Sequence, residues 1–443
     1  MGIKGKDIDE VIIKSFKKFT EFLRAHTIKE YQSKKYYSDV LIMWLMICQR
    51  LHHACSMADI LELLKKEKYK NLIGDCKRKE DGHFPKNTGG YSRARQKLKL
   101  EKVVELIDEL TNWILQTISV NEQIYAIDGT TIELKRTREL MKKYPPIPKG
   151  HYPIMRVLTC HEVNTGIAIR PEYGAVWGSK VSGEIELSKG LIPRIPRGAT
   201  LMGDRNFGIS SVVVQAHKQG LNVVLRVKED RALRLYGKKK LPKNMDQKVI
   251  WTPSKNELTV HPELKETDQV QGRLICKEIK DPHTNSKFIL ILFTTTTISK
   301  NKVIKLYCKR WSIESDLRDI KKTTNMDSLH VNSEDTALKE LYLGFCAYIL
   351  TRMIIKETTQ RLKLEPRSVS FSRMFTAVSL QMIELMKHPN RKKQKEIVES
   401  LLESTIASKL PKRKKKRIEP RGVVRNKFSK YPTLLEKRDE NSF

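Results

Sequence analysis

The chain has 443 residues and a formal net charge of +34, from 85 Lys+Arg against 51 Asp+Glu, and the excess is spread along its length. It exceeds one ordinary domain of roughly 100 to 200 residues, and self-repulsion on this scale calls for a polyanionic partner, nucleic acid before an anionic membrane surface. The longest apolar run, residues 41–48, falls far short of the roughly 20 residues of a membrane span, and MGIKGKDIDE has neither an apolar leader core nor a small-residue cleavage site.

The seven cysteines are dispersed without a CxxC pair, which reads as reduced thiols of a cytosolic protein rather than a zinc site. Ile8, Ile12, Phe19 and Leu23 fall at helical spacings, predicting helix through much of 9–64, with Ser38 placed to cap the run ending at Cys48. After a polar, lysine-rich stretch comes SRARQKLKLEKVVELIDELTNWI, again helical. Near its start, Arg93, Arg95 and Lys97 are candidates to hold DNA phosphates, and fit a solvated basic face equally well.

At Gln123 the texture changes. QIYAIDGTTIEL, IMRVLTCHEV and GIAIRPEYGA read as three strands, the first two joined by the proline-dense loop KKYPPIPKGHYP. SGEIELSKGLIPRI reads as helix, ATLMGDRNFG as strand, SSVVVQAHKQG as helix and LNVVLRVKED as strand. That order predicts an α/β mixed sheet flanked by helices. Between about 231 and 287 the helical signal fades and turn residues recur, which predicts a β-rich insertion closed by FILILFTTTT. A long helix is expected over 299–322, further helices over 338–361 and 372–387, and the basic tail PKRKKKRIEPRGVVRNKFSKYP suits phosphate contacts.

Asp128 in AIDGTT and Asp204 in LMGDRNF each sit by a hydrophobic strand, where a carboxylate can face a substrate across the sheet rim; each also reads as an ordinary turn aspartate. Tyr307, Arg310, Glu314 and Lys321 lie at offsets 0, 3, 7 and 14, within an arc of roughly 60° on a helix. One face thus offers a carboxylate for a metal beside Arg310, Lys321 and Tyr307 for phosphate oxygens. The alternative is a solvated face with an Arg310–Glu314 i,i+4 pair. Arg205 could contact phosphate or hold Asp204 ionised.

Tyr, two residues, Arg, three residues, Glu, six residues, Lys is the mark of the DDE transposases of bacterial insertion sequences, insertion-sequence four family. The chain resembles them from about Tyr91 to Pro432, with AIDGTT and GDRNF similar to the other two acidic blocks. The resemblance implies a ribonuclease H-like core split by the β-rich insertion, with core at 121–230 and 288–332 and insertion at 231–287; residues 1–90 lie outside the resemblance, and the flanks are read as a helical DNA-binding region at 1–120 and a helical, basic region at 333–443 for dimerisation or DNA contact. The resemblance implies Asp128, Asp204 and Glu314 as catalytic metal ligands for two Mg²⁺ or Mn²⁺ ions. It also implies cleavage of double-stranded DNA at terminal inverted repeats, strand transfer into target DNA, a synaptic homodimer and a bacterial, nucleoid-associated cytoplasmic location, with no membrane role. Trp251, the insertion's one tryptophan, is a candidate to stack on a flipped base, or packs the insertion's own core; Trp311 is expected in the core. A nuclease of the same fold that does not join DNA, and a non-catalytic transposase-derived DNA-binding protein, are the competing functions.

Overall fold

A computed structural model describes residues 37–52, 55–66, 87–120, 123–148, 150–280, 287–387 and 391–411. The expected helix through Ile8 to Leu23, Cys76 and the basic tail beyond 411 lie outside the described residues. Helix α1 (Asp39–Leu51) opens where expected, with the Ser38 hydroxyl accepting from the Leu41 N–H at 3.3 Å. Then come α2 (Met57–Lys66), α3 (Gly89–Lys97) and α4 (Leu100–Leu115), the last two separated by a break at Leu98 and Lys99.

Strand β1 (Ile124–Leu134) is followed by a short helix, α5 (Arg138–Lys143), capped by the Thr137 hydroxyl. Next come β2 (Ile154–Glu162), β3 (Glu172–Ala175), α6 (Glu184–Leu191), β4 (Thr200–Gly203), α7 (Ser210–Lys218) and β5 (Asn222–Arg226). The next stretch carries two helices as well as strands: α8 (Glu229–Tyr236), β6 (Asn244–Trp251), α9 (Lys255–Val260), β7 (Val270–Lys280) and β8 (Lys287–Thr294). Helix α9 corrects the expectation that helix is absent there. Its start is a reciprocal capping box, Ser254 with Glu257, a signal present in SKNE.

Among the described residues all the strands belong to one nine-stranded sheet in the order β3-β2-β1-β4-β5-β8-β7-β6, with the two-residue β9 (Ser328–Leu329) on the far end of β1. Strands β1, β4 and β5 are parallel; β2 is antiparallel to that set, and β3, paired antiparallel to β2, runs with it. An antiparallel meander followed by two parallel crossover strands is the ribonuclease H-like arrangement. The inserted strands form no separate sheet: β8 pairs with β5, and β7 and β6 extend the same surface.

One face packs Tyr125, Ile127, Leu201 and Val223 against α6 and α7. The other packs Ala126, Met202 and Val224 against Val303, Tyr307, Ile313 and Leu317. Those last four belong to α10 (Lys300–Cys308) and α11 (Ser312–Arg318). The expected straight helix over 299–322 is thus uneven, with a 3₁₀ turn at Lys309–Trp311 and a π turn at Asp319–Thr323. Helix α12 (Glu334–Arg361) is buried on nearly all sides and is followed by α13 (Phe371–Lys387) and α14 (Arg391–Ala407). Among the described residues no helix is long and apolar enough to cross a membrane, and the six described cysteines are free thiols.

Candidate active site

Side chains alternate across a strand, so Asp128 shares the face of Ala126, while Asp204 follows the end of β4, two residues after Met202. Ala126 and Met202 are direct partners in the parallel β1–β4 register. Two residues on, Asp128 in β1 and Asp204 just beyond β4 therefore come near each other, beneath α10 and α11. Asp128 lies within β1, paired opposite Thr159, whose hydroxyl donates to the Asp128 carbonyl at 3.1 Å. Continuous pairing through Gly129 and Leu158 excludes the turn at Asp128. Asp204 does sit in a turn: its carboxylate accepts from the Asn206 N–H at 2.8 Å, which aims it outward from the strand end.

The helix brings the third carboxylate. The Arg310 guanidinium lies between two acids, Nη1 3.6 Å from Asp128 Oδ2 and Nη2 3.6 Å from Glu314 Oε1. Tyr307 is buried near Asp204: burial pushes its phenol up, Arg310 and Arg226 oppose the rise, and Asp204 adds to it. Lys321, in the π turn, donates to the Thr131 carbonyl at 2.9 Å and ties that turn to β1. Burial lifts the Asp128 carboxyl to about 6; the Gly129 N–H and Arg310 oppose the rise, and Asp204 and Glu184 add to it.

The remaining residues singled out in the sequence stand as follows. Arg95 is buried and ion-paired with Glu340 of α12, so it is a packing residue and not a DNA contact, while Arg93 on the same helix is exposed. The Trp251 ring has no exposed surface: it packs on Phe293 at 4.7 Å, and its N–H donates to Ser210 Oγ at 2.8 Å. In this structure the ring is covered rather than open to a base, packed among buried insertion residues such as Met245, Val270 and Leu274 and tied to α7 through Ser210. Trp311, expected in the core, lies in the 3₁₀ turn and is 58% exposed. Arg205 is exposed and makes no ion pair with Asp204 among the described residues.

Two features escaped the sequence. Glu184, at the start of α6, presses its carboxylate on Gly129, where a side-chain carbon would collide with it, and accepts from Asn206 Nδ2 at 2.9 Å. It therefore links the Asp128 strand to the Asp204 turn. Below Glu314, the fully buried Asp316 accepts from Arg352 Nη2 at 2.7 Å and from Arg367 Nη2 at 2.8 Å, with His161 Nδ1 3.7 Å away. Burial would raise the Asp316 carboxyl, but Arg367 and Arg352 outweigh it and hold it below the usual range. This network bolts α11 to α12. No local pattern in ESDLRD distinguishes it.

Hard carboxylate oxygens suit Mg²⁺ or Mn²⁺. Among the described residues no three acidic, His or Cys side chains converge closely enough to hold an ion; Arg310 stands between two of them.

The mixed sheet thus brings Asp128 of β1 and Asp204, in the turn just beyond β4, beneath the helix that bears Glu314. The family model described as "Transposase DDE domain" matches residues 120–350, more than half of the chain, and the chain belongs to that family. It is also similar to a probable transposase for insertion sequence element IS5377 from Geobacillus stearothermophilus, 25% identical over 91 residues. That match covers 20% of this chain and 24% of the relative's own length. A looser likeness, with a TM-score of 0.40 and 11% identity over 88% of this chain and 82% of the other, is to piggyBac transposase in a synaptic complex with hairpin DNA.

Proposed function

We propose that the chain is an insertion-sequence four type DDE transposase that cuts double-stranded DNA at an element's terminal inverted repeats and joins the ends to target DNA. The observation that carries this is the placement of Asp128 in β1 and Asp204 in the turn just beyond the adjacent parallel β4, beneath the helix that bears Arg310 and Glu314. Asp128, Asp204 and Glu314 would hold two Mg²⁺ or Mn²⁺ ions, which when bound lower the pKa of the attacking water or 3′-hydroxyl and stabilise the leaving oxygen. Arg310 engages the scissile phosphate through paired N–H donors. Buried Tyr307 keeps the helix seated over Asp204, and Lys321 adds positive charge at the rim. Exposed Arg93 and Arg205 track flanking phosphates.

Residues 121–230 and 288–332 form the catalytic core in this proposal, with 231–287 the insertion and the regions at 1–120 and 333–443 serving DNA contact or subunit pairing. A homodimer would cut two ends in concert, acting on DNA in the bacterial cytoplasm. The test supplies Mg²⁺, linear DNA carrying the flanking inverted repeats and a supercoiled target. Wild type should nick and join, and Asp204→Asn and Glu314→Ala should each lose about a hundredfold or more of both steps. Joining at the wild-type rate by either variant sinks the proposal; cleavage without joining reassigns the chain as a nuclease.

A further inference from the structure

Arg310 is placed oddly for a residue whose only task is to grip substrate. It is 6% exposed, and both terminal nitrogens lie 3.6 Å from carboxylate oxygens, one from Asp128 and one from Glu314. That is close enough for charge attraction and too long for good hydrogen bonds. Its Nε is buried with no hydrogen-bond partner. The indole of Trp311 lies under the guanidinium, 4.9 Å from its carbon to the ring centre, and the Tyr307 ring lies 6.0 Å away. A guanidinium offers five donors in a planar fork, and here that fork is held by two long charge contacts, ring faces and the Tyr307 hydroxyl, with the buried Nε donor unspent. An unsatisfied buried donor is costly, so a better acceptor would capture it.

Resting on the function proposed above, we propose that Arg310 is a resident counter-ion. In the DNA-free protein it neutralises Asp128 and Glu314 and so competes with a divalent cation for the same two carboxylates. A DNA phosphodiester offers the fork two non-bridging oxygens that share one full negative charge. When the guanidinium turns to the phosphate, both carboxylates become available as cation ligands. Cation binding and DNA binding are therefore coupled, each strengthening the other by the same factor, as linkage requires. The enzyme arms its metal site where DNA is present.

Calorimetric titration of Mn²⁺ into the DNA-free full chain tests the competition. Arg310→Gln should bind Mn²⁺ about tenfold more tightly than wild type, while Arg310→Lys, which keeps the charge, should bind more weakly than Arg310→Gln. Equal or weaker binding by Arg310→Gln overturns the inference. A second measurement needs no variant: at constant ionic strength, Mn²⁺ should raise the affinity of wild type for a fluorescent blunt duplex about fivefold or more, within the usual range of coupling. No rise overturns it as well. If wild type binds Mn²⁺ no better than Asp204→Asn, the metal-dependent function fails with it; if wild type binds Mn²⁺ and cleaves DNA while Arg310→Gln gains nothing, only this inference fails.

Discussion

Trp251 shows how far a single residue can mislead. Its place in a β-rich insertion fits a base-stacking role, yet its ring lies against Phe293 and its N–H on Ser210. Alternation along a strand says which face a side chain takes and nothing about what covers that face. Trp251→Ala should lower the unfolding free energy by about 3–5 kcal/mol. Trp251→Phe should cost about 1 kcal/mol for the lost hydrogen bond and leave the DNA nicking rate within twofold of wild type; urea unfolding and a nicking assay check both, and a selective loss of cleavage in Trp251→Phe would restore the stacking role. Asp128 and Asp204 are ordinary by themselves; what gives them meaning is the Ala126–Met202 register, which strand order decides. Glu184 was illegible for the same reason, since its approach to Gly129 depends on how α6 crosses the sheet.

Among the elements, the α10–α11 segment was the most legible and the most altered. Helical spacing correctly grouped Arg310 with Glu314, but a regular helix cannot foresee the 3₁₀ turn that holds the exposed Trp311 or the π turn that carries Lys321 to Thr131. These irregularities coincide with tertiary anchors. Asp316 and Asp319 both reach Arg352, so the helix is shaped by a partner far along the chain. Arg352→Met removes that partner and leaves buried acids underpaired, which should cost about 3–5 kcal/mol. Thermal unfolding would register the loss. Below the new melting point, kcat should fall with DNA affinity preserved, because Glu314 loses its fixed seat; an unchanged melting temperature would show that Arg367 alone satisfies Asp316.

Across the whole molecule, the inserted segment and the core share one surface, locked by a polar chain that runs from Trp251 through Ser210 to Glu257, and on to Arg231 and Arg234. Burial would raise the Glu257 carboxyl, but the N–H groups of Ser254 and Ser210, the Ser210 hydroxyl and Arg231 outweigh it and bring it to about 2. A carboxyl depressed in the folded state stabilises fully above its unfolded value and loses that contribution as pH falls towards about 2. Glu257→Gln should therefore cost about 3 kcal/mol at neutral pH, and the gap from wild type should close between about pH 5 and 2 in unfolding free energies measured across that range. A gap independent of pH would count against the charge as its source. The mixed sheet was legible from strand order, whereas the merging of insertion and core was not, because partner choice between β8 and β5 is set across a long sequence separation.

That merging bears on any attempt to pare the chain down. With β5 on one side and β7 on the other, the apolar strand KFILILFT has no free edge. A shortened chain lacking residues 237–280 would bare a row of backbone donors and acceptors along a hydrophobic ribbon, the template on which strands from other molecules add. The segment beside the catalytic core thus also guards solubility, and a trimmed version would aggregate before it could serve as a minimal enzyme.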